Sequence, residues 1–120
     1  MKMFIPTIGT IITLTKNWEF DIHEEYRNYA CLQLLFPDQK IDQYGWRNGK
    51  PTPPRKFAFK KGSVLKVDRI YIRKGKAEYD SISFVLQHDS SGEISKKPRF
   101  WVKLADANTI VCELGDLRKE

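Results

Sequence analysis

The sequence predicts an all-β domain: a single small barrel of short, bent strands with room for one short helix. Three observations point there. Helical periodicity is weak along the whole chain, while alternating runs rich in Val, Ile, Thr and aromatics recur between turn signals. One of those runs also changes phase midway, as a strand does when it bends. At 120 residues with 41% hydrophobic and 30% charged content, the chain fits one domain spanning 1–120. Its 12% aromatic share supplies the apolar area that a disordered chain lacks.

The first strand is placed at about Gly9 to Trp18, with Ile12 and Leu14 on one face. Asn28 to Phe36 follows, and its run Tyr29-Ala30-Cys31-Leu32-Gln33-Leu34-Leu35 fits a strand or a helix equally. Pro37 to Pro54 holds four Pro and two Gly and reads as a long irregular loop, a class of segment that is usually functional or mobile. Arg55 to Phe59, the turn Lys60-Lys61-Gly62 and Ser63 to Arg73 then form a hairpin. Within its second arm Leu65 and Val67 occupy odd positions but Ile70 and Ile72 even ones. The buried set stays on one side only if a bulge falls near Asp68-Arg69.

After the loop Lys74-Gly75-Lys76, a strand from Ser81 to Gln87 alternates through Ile82, Phe84 and Leu86. Asp89-Ser90-Ser91-Gly92 marks a turn, and Phe100, Val102 and Leu104 alternate again. Ala105 to Asn108 suits a single 3₁₀ turn, and Thr109 to Leu114 closes the set with Ile110, Cys112 and Leu114 inward. This succession of short bent strands with a late one-turn connector resembles an SH3-like small barrel over residues 55 to 114. The resemblance implies an architecture and no catalytic residues. The run Gly62 to Arg73, with Tyr79-Asp80-Ser81 and Arg99-Phe100-Trp101-Val102, is similar to small uncharacterised phage or mobile-element proteins, which implies that context alone.

Charge is the most informative functional signal. Between Arg47 and Lys76 stand eleven Lys or Arg against one acid, Asp68, a local +10 on a chain of net +6 and pI near 9.4. Residues 1–46 and 77–120 are each −2. A concentrated basic block attracts polyanions: nucleic acids, anionic membranes or acidic protein faces. Such a pI argues against an acidic mimic of DNA. Two stripes then combine cations with aromatics. Arg99, Trp101 and Lys103 occupy the outward phase of their strand, and Arg69, Tyr71 and Arg73 share one side of theirs provided no bulge intervenes beyond Arg69. Bases stack on exposed aromatics while neighbouring cations hold phosphates. The bland readings compete. Trp101 can be covered by the long loop, by the N-terminal segment or by Arg99 as a cation–π pair, and the lysines can simply guard a strand edge.

Other constellations are weaker. Trp46-Arg47-Asn48-Gly49-Lys50-Pro51 contains Gly-Lys but lacks the first Gly of a phosphate-binding loop and the helix that should follow. His23 with Asp21, Glu24 and Glu25 is the only local cluster suggestive of a metal, without matching ligand spacing elsewhere. Ser83 with His88, or Cys31 with His23, pair as nucleophile and base only on paper. Cys31 and Cys112 read as small core residues rather than a disulfide. Asp21, Glu24 and Glu25 form an acidic patch able to meet the basic block of a second copy, giving a homo-oligomer.

The expectation is therefore a non-catalytic, cytoplasmic binding module with no cofactor, no metal and no membrane association. No apolar run approaches the roughly 20 residues of a membrane span. Its partner would be nucleic acid or a nucleic-acid-associated protein, met by Arg55, Lys56, Lys60, Lys61, Arg69, Tyr71, Arg73, Lys74, Arg99, Trp101 and Lys103. The alternative is a small phage-type inhibitor docking on an acidic surface of a host or defence enzyme. An enzyme or small-ligand barrel would announce itself by a deep pocket with convergent polar groups.

Overall fold

The computed structural model describes residues 7–41, 44–47, 49–75, 80–89, 92–94 and 96–113. In chain order the elements are β1 (Ile11–Leu14), β2 (Trp18–Ile22), a 3₁₀ turn (Tyr26–Asn28), α1 (Tyr29–Leu35), β3 (Trp46–Arg47), β4 (Lys50–Pro51), β5 (Arg55–Phe59), β6 (Val64–Tyr71), β7 (Ser81–Asp89), β8 (Gly92–Glu93), β9 (Arg99–Lys103), α2 (Leu104–Ala107) and β10 (Cys112–Glu113). The all-β class stands. The expected residues Lys76, Tyr79, Ser90, Ser91 and Leu114 lie outside the described residues.

The large sheet runs β10-β1-β6-β7-β8, with β9 also paired to β7, and every pairing within it is antiparallel. β2 and β5 make a separate antiparallel pair, as do β3 and β4. The expected closed barrel does not form: among the described residues no ladder joins β5 to the large sheet. Both edges of β6 are already occupied, by β1 and β7. At the β5–β6 turn Gly62, with φ of 96°, donates its N–H to the Leu14 carbonyl, and Leu14 donates in turn to Ser63. Only Gly adopts that backbone without strain. The turn is thus anchored on β1 and β5 crosses to the second sheet.

Between the sheets lies the core. Trp18 stacks on Phe20 at 4.1 Å and meets Phe84 edge-on at 6.0 Å, while Phe20 and Phe59 approach Phe100 at 5.9 and 5.5 Å. Aromatic pairs at these separations add to the benefit of area burial. The Trp18 indole Nε1 donates to the Asp106 carbonyl and to Thr109 Oγ1, which ties α2 to the core. β2 was not foreseen, although Trp18, Phe20 and Ile22 are buried with Glu19 exposed and Asp21 partly exposed. Asn28 to Phe36 resolves as a 3₁₀ turn leading into a helix, whose Cys31 and Leu32 face inward. The expected 3₁₀ turn at Ala105 is one turn of α-helix that starts at Leu104. Within the expected irregular loop, β3 and β4 form a short hairpin.

The phase change in β6 is a bulge. Val67 opposes Phe84 and Arg69 opposes Ser83, so Asp68 is the extra residue. Leu65 and Val67 before it are fully buried, and Ile70 after it packs against the same core. Ile72, which shares Ile70's phase, stays exposed beyond the end of the strand. Cys31 and Cys112 are buried and not disulfide-bonded. Burial pushes the Cys31 thiol up to about 12, which withholds the thiolate a nucleophile needs. No helix among the described residues is long and apolar enough to cross a membrane.

Candidate binding face

The bulge sets which residues face away from the core. Beyond it, Arg69 and Tyr71 point to the side of β6 opposite Ile70. The register then aligns them in rows across three strands: Arg69, Ser83 and Trp101 in one, Tyr71, Ser81 and Lys103 in the next. Both stripes picked out in the sequence therefore lie on one sheet face, separated by the small serines of β7. Asp68 itself reaches this face. Its Oδ2 accepts from Arg99 Nε at 2.9 Å and from Ser83 Oγ at 3.2 Å.

The segment from His23 to Ala30 forms the opposite wall. Asn28, fully buried, fixes it: its Oδ1 accepts from the Trp101 backbone N–H at 2.7 Å, and its Nδ2 donates to the Trp101 carbonyl and to the His23 carbonyl. Trp101 is consequently covered rather than open. His23 stacks on it with centroids 4.8 Å apart, and the Arg27 guanidinium sits 4.8 Å over the ring. The indole Nε1 donates to Glu25 Oε1 at 2.8 Å, an oxygen that also accepts from Arg27 Nε at 2.6 Å. The covering cation is Arg27, not the expected Arg99. Burial pushes the Glu25 carboxyl up, but the hydrogen bonds from Arg27 and Trp101 outweigh it and hold it below the usual range. Burial, aided by Lys103, holds His23 below its ordinary value, so the ring over Trp101 is neutral at pH 7.

Two grooves open between these walls, each of about 490 Å³. The first is aromatic, with Tyr26, Tyr29, Tyr71, Phe100 and Trp101 beside Arg27, Arg69 and Arg99. The second is cationic, formed by Arg27, Arg73 and Lys103 with His23, Ser81, Tyr71 and Trp101. Arg27, Tyr71 and Trp101 belong to both. Tyr71 is 50% exposed and Tyr26 79%, leaving these two rings, not Trp101, with open surface.

The rest of the basic block is elsewhere. Arg55 is a structural residue: it pairs with the buried Glu24 at 2.8 Å, bonds Gln39 and lies over the Phe36 ring. Lys56 pairs with Asp21 at 3.4 Å. Lys60 and Lys61 precede β6 while Arg73 and Lys74 follow it, so an eight-residue strand separates the two pairs. Lys74 is exposed beyond the strand end and lines neither groove. The acids foreseen as a docking patch for a second copy are held within the chain, Asp21 by Lys56, Glu24 by Arg55 and Glu25 by Arg27. Among the described residues no group of three or more His, Cys, Asp or Glu is placed to hold a metal ion.

Sequence reasoning missed Tyr26, Arg27 and Tyr29. An aromatic-cation-x-aromatic run was visible there, but only the tertiary crossing over β9 gives it meaning. No family model, curated protein or solved structure matches the chain.

Proposed function

We propose that the chain is a non-catalytic binding module that engages single-stranded nucleic acid with the outer face of β6, β7 and β9. The observation that carries this reading is the register that sets Arg69 and Tyr71 beside Trp101 and Lys103 across Ser83 and Ser81. Cations alternate with rings on one surface, the combination that tracks a phosphate backbone while offering stacking planes. Tyr71 and Tyr26 are the stacking surfaces. Trp101 serves as the covered pillar beneath them. Arg69, Arg73, Arg99, Lys103 and Arg27 supply the phosphate contacts, so affinity is governed mainly by charge, with little base readout.

The test is a fluorescence-anisotropy titration of the whole chain against labelled single- and double-stranded DNA and RNA at two salt concentrations. The expected result is preference for single strands and a linear fall of log affinity with log salt. Absence of binding at low salt overturns the proposal and makes the face a docking surface for an acidic protein.

A further inference from the structure

The two grooves are chemically unequal, although no carboxylate lines either. In the first, Arg99 is engaged by Asp68 and Arg69 Nη1 lies 3.5 Å from the Tyr71 hydroxyl, so its cations are partly committed and its lining is mostly aromatic. In the second, Arg73 and Lys103 form no ion pair among the described residues. They line one cavity together with Arg27, His23 and Ser81. The backbone fixes their placement. Lys103 opposes Ser81 in the ladder, and the Arg73 N–H donates to the buried Asp80 carboxylate at 2.7 Å. A cavity of this size lies in the range of small-ligand sites.

We propose that the second groove is a phosphate subsite, and that the two grooves together take a nucleotide bearing a terminal phosphomonoester. The base lies in the aromatic groove against Tyr71, and the phosphate lies between Arg73 and Lys103, beside the Arg27–Glu25 pair. This assignment rests on the nucleic-acid reading above and narrows it. An internal phosphodiester carries one negative charge, whereas a monoester carries roughly 1.5 to 2 at neutral pH and three acceptor oxygens. Arg73 and Lys103, which form no ion pair among the described residues, favour the monoester, whereas Arg27 is already paired with Glu25. Arginine and lysine can both donate charge-assisted hydrogen bonds to the monoester. Ser81 Oγ adds a neutral donor. The shared wall of Arg27, Tyr71 and Trp101 makes the grooves adjacent, as a base and its own phosphate must be. The ligand is either a free mononucleotide or the phosphorylated end of a strand.

Anisotropy titrations compare three single strands of one sequence, carrying a 5′-phosphate, a 3′-phosphate or only hydroxyl ends, with a nucleoside monophosphate as competitor. One of the phosphorylated strands should bind about tenfold more tightly than the hydroxyl strand. Arg73→Gln and Lys103→Gln should each collapse that ratio towards one, with thermal melts confirming folding. Arg99→Gln should lower every affinity and preserve the ratio. Competition by the mononucleotide identifies the free nucleotide as a ligand, and lack of competition identifies the strand end. Equal affinity for all three strands overturns the phosphate subsite while leaving the binding module standing. No binding of any strand overturns both.

Discussion

The carboxamide of Asn28 pairs with both backbone polar atoms of Trp101, accepting from its N–H at 2.7 Å and donating to its carbonyl at 3.4 Å. One side chain thereby stands in for a neighbouring strand at the open edge of β9. Because Trp101 turns these groups away from β7, Ser83 and Trp101 form a non-hydrogen-bonded pair, the closer-spaced kind. The small serine lets the indole lie across the sheet. The same contact blocks edge-to-edge pairing at that point.

Asn28→Ala should lower unfolding free energy by about 3 kcal/mol in urea titrations, since it strands the Trp101 N–H in a buried place. Asn28→Asp keeps an acceptor but loses the donor, and should fall between Ala and wild type. An Ala variant as stable as wild type would show that the edge finds other partners.

Tyr71→Ala and Trp101→Ala should separate binding from architecture. Tyr71→Ala is expected to weaken single-strand binding by roughly 1 to 3 kcal/mol with an unchanged melting temperature. Trp101→Ala should cost stability by about 2 kcal/mol, because His23, Arg27 and Glu25 lose the ring they pack and bond against. If Tyr71→Ala binds as wild type does, the stacking role assigned to it fails.

Asp68→Asn should tighten nucleic-acid binding. It removes the acid that holds Arg99 while retaining an acceptor for the Ser83 hydroxyl. A gain of about 0.5 to 1 kcal/mol is expected at low salt, with a steeper salt slope. Loss of affinity would mean that Asp68 positions Arg99 for its ligand instead of competing for it.

Stability should decline in mild acid. His23 titrates low in the folded chain, chiefly through burial and then Lys103, against the opposing charges of Glu25, Asp21 and Asp106. Unfolded, it takes a proton at about pH 6.5. Below that pH the unfolded state binds a proton that the folded state resists, so stability falls as pH drops and levels off once the folded ring is also protonated. His23→Phe retains a ring on Trp101 without the titration, and its melting temperature should change less between pH 7 and 5.5. Parallel curves for the two proteins would rule His23 out.

The strands of the large sheet were legible because Ile82, Phe84 and Leu86, and likewise Phe100 and Val102, alternate with period two. The bulge was legible because a shift from odd to even apolar positions in a single strand has few other physical explanations. What was hidden was tertiary. Trp18, Phe20 and Ile22 also alternate, but their carboxylate neighbours and the turn before them obscured the strand. Helix or strand at Tyr29 to Leu35 could not be decided from seven residues, because a short apolar run fits both periods. The arrival of Arg27 over Trp101 depends on Asn28 bonding an edge that no local pattern reveals. Arg55 reads as a free cation in the sequence because its carboxylate partner, Glu24, lies 31 positions away.

The extra residue at position 68 is slack that the strand can lose but not exceed. Deleting Asp68 would remove the bulge and leave Val67 opposite Phe84, Arg69 opposite Ser83 and Tyr71 opposite Ser81 in one regular ladder, with Ile70 still inward. One residue inserted between Arg69 and Ile70 has no such outlet, and would turn Ile70 towards solvent and Tyr71 towards the core. The deletion should therefore keep the binding face, at the cost of the Asp68 contacts to Arg99 and Ser83, while the insertion should destroy it.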